Sequence, residues 1–78
     1  MKRRLISAKE IIKGFEISYQ TVNSYTDLGL LDVVSKKNHL RMYDYAEVKR
    51  RLHRITRLMN EGYTLRLIRK MLDEGKRR

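Results

Sequence analysis

The sequence predicts a mainly α fold with one small β-hairpin, in the order helix, helix, hairpin, helix, helix. Three observations carry this. Each of the four glycines closes a segment with helical periodicity, and each segment opens on a capping residue. Between the second and third segments the pattern changes to β-branched and alternating residues around a polar turn. The 78 residues contain no proline, so nothing interrupts the helices.

Ser7 and Glu10 have the spacing of a capping box, and Ile6 and Ile11 form a hydrophobic staple around it. Gly14 is expected to supply the left-handed terminal residue, which gives a first helix of about 8–13. Ser18 opens the second helix, with Ile17 and Val22 stapled, and Gly29 ends it. Only Phe15, Glu16 and Ile17 separate the two helices, the tight turn of a helix-turn-helix. Leu30-Leu31-Asp32-Val33-Val34 reads as a strand, Ser35 to His39 as a polar turn, and Leu40-Arg41-Met42-Tyr43 as the returning strand. Asp44 caps the third helix, with a Tyr43/Val48 staple. Its apolar stripe is Val48, Leu52, Ile55 and Met59, with Lys49, Arg50, Arg51, Arg54 and Arg57 on the remainder. Gly62 ends that helix. Thr64 opens the fourth, with Tyr63 and Ile68 stapled, and Gly75 ends it; Leu65, Ile68 and Leu72 face inward. The whole is a winged helix-turn-helix in one domain, residues 1–78, with an ordered core of about 5–74 and a six-residue tail from Asp73.

Composition removes several classes of function. No cysteine is present, and His39 and His53 lie too far apart for a helical metal pair, so neither a metal nor another cofactor is expected. The basic start, Met1 to Ile6, is not followed by the ~7–15 apolar residues of a signal peptide, because Ser7 and Lys9 break it. No run reaches the ~18 apolar residues of a membrane span. There is no glycine-rich phosphate loop and no paired nucleophile and base, so an enzyme is not expected. A cytoplasmic, nucleoid-associated protein is.

The net charge is +10, from 19 Lys and Arg against 9 Asp and Glu. It is uneven: residues 40–78 carry 12 basic and 5 acidic side chains, residues 1–39 carry 7 and 4. A surplus of this size favours a polyanionic partner over simple solubility. An anionic membrane surface would call for bulky aromatics on an amphipathic helix, and the third helix has ordinary core residues instead. Duplex DNA fits better. On the second helix Val22, Tyr25 and Leu28 should face the core, leaving Tyr19, Gln20, Asn23 and Ser24 outward near the N-terminal end that such a motif presents to the major groove. Asn and Gln each suit adenine N6 and N7, while Tyr and Ser reach phosphate. Plain polar surface accounts equally well for Asn23 and Ser24. Tyr25 is core more than contact, with its hydroxyl emerging at the surface. At the hairpin tip Lys36 and Lys37 supply charge for phosphates, and His39 and Arg41 suit a minor groove. His53, one position beyond the stripe, reads as a half-exposed structural residue.

From Ile6 to Leu72 the sequence resembles the DNA-binding domain of the mercury-resistance regulator (MerR) family. The family's second-helix motif, V-S-x-x-T-[IL]-R-Y-Y-E-x-x-G-L-L, corresponds to Ile17 through Leu31. The wing motif N-G-Y-R-x-Y corresponds to Asn38-His39-Leu40-Arg41-Met42-Tyr43, and G-x-[ST]-L-x-x-I-x-x-x-L to Gly62 through Leu72. The resemblance implies a transcription regulator that binds DNA. The residues expected at that interface are Ser18, Tyr19, Gln20, Asn23, Ser24, Tyr25, Lys36, Lys37, Asn38, His39 and Arg41. Asn23 and Ser24 stand where the family has Arg and Tyr, two habitual DNA contacts, which suggests altered sequence preference or weaker phosphate anchoring. His39-Leu40 replaces Gly-Tyr, which places His39 in a conformation that Gly tolerates better. The chain ends six residues after Leu72, so the family's dimerising helix and effector region are not expected. The partners expected are double-stranded DNA with RNA polymerase, and a monomer in solution that loads cooperatively on DNA. The alternatives are an excisionase-like factor that bends DNA for a recombinase, and a basic module that docks an acidic protein.

Overall fold

The computed structural model describes residues 4–76, and the side chains of residues 4–73 within that range. Met1 to Arg3 of the basic start and Arg77 and Arg78 of the expected tail lie outside the described residues. The elements run β1 (Leu5–Ser7), α1 (Ala8–Phe15), α2 (Tyr19–Asp27), β2 (Ser35–Lys37), β3 (Leu40–Asp44), α3 (Tyr45–Asn60) and α4 (Leu65–Lys76). The strands form one antiparallel sheet in the order β1-β3-β2. This is a winged helix-turn-helix with four helices, and its hairpin gains a third strand at the N-terminal end of the chain.

The local rules hold where they concern helix starts. Ser7 Oγ accepts from the Glu10 amide and the Glu10 carboxylate accepts from the Ser7 amide, the complete capping box. Ser18 Oγ accepts from the Thr21 amide at 3.0 Å, Asp44 from the amides of Ala46 and Glu47, and Thr64 from that of Leu67 at 3.2 Å. Helix ends depart from the expectations at two glycines. α1 passes through Gly14 to Phe15, and the left-handed residue is Glu16, with φ 56°. Phe15 stays helical because its ring packs on Tyr45, with centroids 6.0 Å apart. α4 likewise runs through Gly75 to Lys76, so the expected tail is largely helix.

Leu30 to Val34 do not form the expected strand. The amides of Leu30 and Leu31 both donate to the carbonyl of Tyr25, so they close α2 instead of entering a ladder. Gly29, at φ 84°, makes that reversal. The ladder starts only where the Val34 amide donates to Met42, and β2 is Ser35–Lys37, part of the segment expected to be turn. β1, which has too few residues to show a period-two pattern, pairs Ile6 opposite Tyr43.

Two apolar clusters follow from this path. Ile6, Ile11, Val22, Leu31, Tyr43, Val48 and Leu52 fill the space beneath α1, α2 and the sheet. Leu30, Ile55, Leu58, Ile68 and Leu72 join α3 to α4. Adjacent Leu30 and Leu31 enter different clusters, and Tyr25 touches both. The α3 stripe therefore ends in Leu58, not Met59, which is 44% exposed. Leu28 is also exposed, at the end of α2; Thr26 points inward instead, bonded to the Val22 carbonyl and to the Tyr43 hydroxyl at 2.8 Å. Arg51, expected on the solvent side of α3, is 6% exposed. It donates to the Leu30 carbonyl and Asp32 at 3.1 Å and pairs with Glu47 at 3.3 Å.

Candidate nucleic-acid interface

Ser18 starts α2 at the tight turn, and the apolar side of the helix, Val22 with Tyr25 and Thr26, is held by the core and by Tyr43. That anchoring turns the opposite side to solvent. Tyr19 is 60% exposed, and Gln20 and Ser24 are exposed beside it. Ser18 itself is committed to capping, its hydroxyl bonded to the Thr21 amide and to the Thr21 hydroxyl at 2.8 Å. Tyr25 is half-buried, its hydroxyl donates to Met59 Sδ at 3.8 Å, and burial pushes its phenol above the ordinary 10.0.

The wing turns on Asn38 and His39, at φ 51° and 68°. Two consecutive left-handed residues make a two-residue hairpin of the twist that strands favour, normally Asn-Gly. His39 thus occupies a position where glycine costs less. Lys36, Lys37, Asn38 and His39 are all exposed. The register sets Lys36 opposite Arg41, and Arg41 faces back toward the helix, where its Nη2 donates to Asn23 Oδ1. Asn23, expected to point freely outward, is half-buried by this contact.

The eleven sequence-derived residues therefore divide. Tyr19, Gln20, Ser24, Lys36, Lys37, Asn38 and His39 are presented to solvent, while Ser18, Asn23, Tyr25 and Arg41 are engaged within the fold. A cleft of about 350 Å³ lined by Ala8, Lys9, Ile12, Tyr19, His39, Leu40 and Arg41 brings the wing tip and the N-terminal end of α2 onto one surface. A second concavity sets Leu65, in the first turn of α4, against Gln20, Thr21, Ser24 and Tyr25. Patterning did not single out Lys9 or the first turn of α4. The second had a legible cue in Thr64, whose cap marks a helix start next to the exposed Arg66.

Among the described residues no group of three or more His, Cys, Asp or Glu is placed to hold a metal ion, and no helix is long and apolar enough to cross a membrane. Residues 6–75 match the family described as MerR HTH family regulatory protein. The chain belongs to this family. Comparison with curated proteins and with solved structures gives no match. Membership covers the two helices of the motif, the wing and the α3–α4 pair together. At the family level the protein is a DNA-binding transcription regulator of the MerR type, from a regulatory and not an enzymatic family.

Proposed function

We propose that the protein is a sequence-specific binder of double-stranded DNA that regulates transcription, acting as one DNA-binding unit at the nucleoid and without catalysis of its own. α2 enters the major groove with Tyr19, Gln20, Asn23 and Ser24 toward the bases. Lys36, Lys37, Asn38 and His39 of the wing lie on the adjacent backbone or minor groove. RNA polymerase is the protein partner this reading implies.

The observation that supports it is the shared surface of Tyr19, His39 and Arg41, which gives the exposed side of α2 and the cationic wing tip a common front. A helix alone contacts one groove. A helix with a wing at fixed offset contacts the groove and the phosphates that flank it, which sets register before any base is read. With ~5–6 phosphates neutralised, log K should fall against log salt with a slope of roughly −5. Titration of a labelled duplex across salt concentrations measures that slope, and a value near zero sinks the reading.

A further inference from the structure

The wing strand touches the reading helix at two points with matched spacing. Residues 41 and 43 share one face of β3, since strand side chains alternate. Residues 23 and 26 are neighbours on α2, one turn apart. Arg41 Nη2 donates to Asn23 Oδ1, and the Tyr43 hydroxyl bonds Thr26 Oγ1 at 2.8 Å. The Tyr43 ring is fully buried, so the second contact fixes where the first must form.

We infer that Arg41 and Asn23 act together as a composite, donor-only reader that selects guanine at one base pair under α2. The inference rests on the proposed placement of α2 in the major groove. A free asparagine reads adenine, accepting from N6 through Oδ1 and donating to N7 through Nδ2. Here a guanidinium faces Oδ1, which makes that oxygen a poor further acceptor and orients the amide. What remains for a base is the Nδ2 group and those guanidinium N–H groups that Asn23 does not use; all of them are donors. Guanine, with acceptors at both N7 and O6, is the purine whose major-groove edge matches. Adenine would set its N6–H donor against a cation. Arg41 is a positioning residue for Asn23 as well as a contact, and the wing then takes part in base selection besides anchoring.

The test is selection of bound sequences from a random duplex pool, using the intact protein, Arg41→Met and Asn23→Ala, with each variant's fold checked by circular dichroism and thermal melting. The intact protein should favour guanine over adenine at one position by on the order of tenfold. Arg41→Met should lose that preference or move it to adenine, while preferences at other positions persist. Asn23→Ala, which removes no core contact, should lose it too. Adenine favoured by the intact protein overturns the inference. So does an Arg41→Met variant that binds every sequence more weakly but keeps the guanine preference, which would make Arg41 a phosphate contact alone. If the intact protein binds duplex DNA with no sequence preference at all, the proposed function fails first, and that outcome is distinct from the other two.

Discussion

Arg51 shows how one side chain can join parts of the chain that local rules treat separately. Its guanidinium is the bond partner of the Leu30 carbonyl, beside which the chain turns from α2 toward the wing, and it pairs with Asp32 and Glu47. Replacement by methionine fills similar volume but leaves that carbonyl without its donor and two carboxylates without their shared cation. The two acids are partly exposed and rehydrate, so the cost is dominated by the carbonyl. Arg51→Met should destabilise by about 2 kcal/mol. Thermal melting would register this as a drop on the order of 10 °C in a domain of this size. Tyr25 makes a second case, through pH. Its folded phenol titrates above 10.0 because burial disfavours the anion. Below that value the folded and unfolded forms both keep the proton; above it the unfolded phenol ionises first, so stability is lost as pH climbs through the folded value. Tyr25→Phe should melt close to the parent at pH 7 and lose less stability between pH 9 and 11. Melts of the two proteins in parallel would read the difference directly. Tyr25 read as core from its spacing, but the role of Arg51 was not legible in the sequence. Arg51 sits among basic neighbours that are all exposed, and only the position of Leu30 and Asp32 in space distinguishes it. Asn23 likewise looked free until the register of β3 delivered Arg41 to it.

The elements divide by whether their signals are local. Helix starts were legible because a cap and its partner lie within three residues, as Ser7 and Glu10 do. Helix stops were less so, since a glycine is neither required nor sufficient to end a helix when a neighbour such as Phe15 is held by packing. Gly14 consequently has no conformational role: it lies inside α1, and a Cβ there would meet nothing within 4 Å. Gly14→Ala should therefore stabilise the protein by about 0.5–1 kcal/mol, measured by urea unfolding. A loss of stability would instead return Gly14 to the role of helix terminator. The same substitution at Gly29 is opposite in sign, because φ 84° is hostile to a Cβ and Arg69 Nε lies 2.8 Å from where it would sit. The candidate interface was legible as a list of residues and not as an arrangement. Four of its eleven members are bonded to other parts of the fold, and although Thr64 marks the start of α4, its place beside α2 comes from contacts between distant segments.

Across the whole molecule the division between two cores matters most. One cluster holds the helix-turn-helix to the sheet and the other holds α3 to α4, with Tyr25 in contact with both. The proposed DNA surface is carried mainly by the first, and the second sets the α4 turn beside it. The sheet binds these parts in an order that the chain itself imposes. β1 is synthesised long before the β3 residues it pairs with, so Leu5–Ser7 waits without a partner while α1 and α2 can already form from contacts among near neighbours. Closing that loop is a non-local step, and its entropy must be met before Ile6 and Tyr43 repay it. Tyr43 is also the residue that grips Thr26 on α2. Tyr43 thus faces the first strand through its backbone and the reading helix through its hydroxyl, so a disturbance at Leu5–Ser7 reaches the DNA-facing geometry through one side chain.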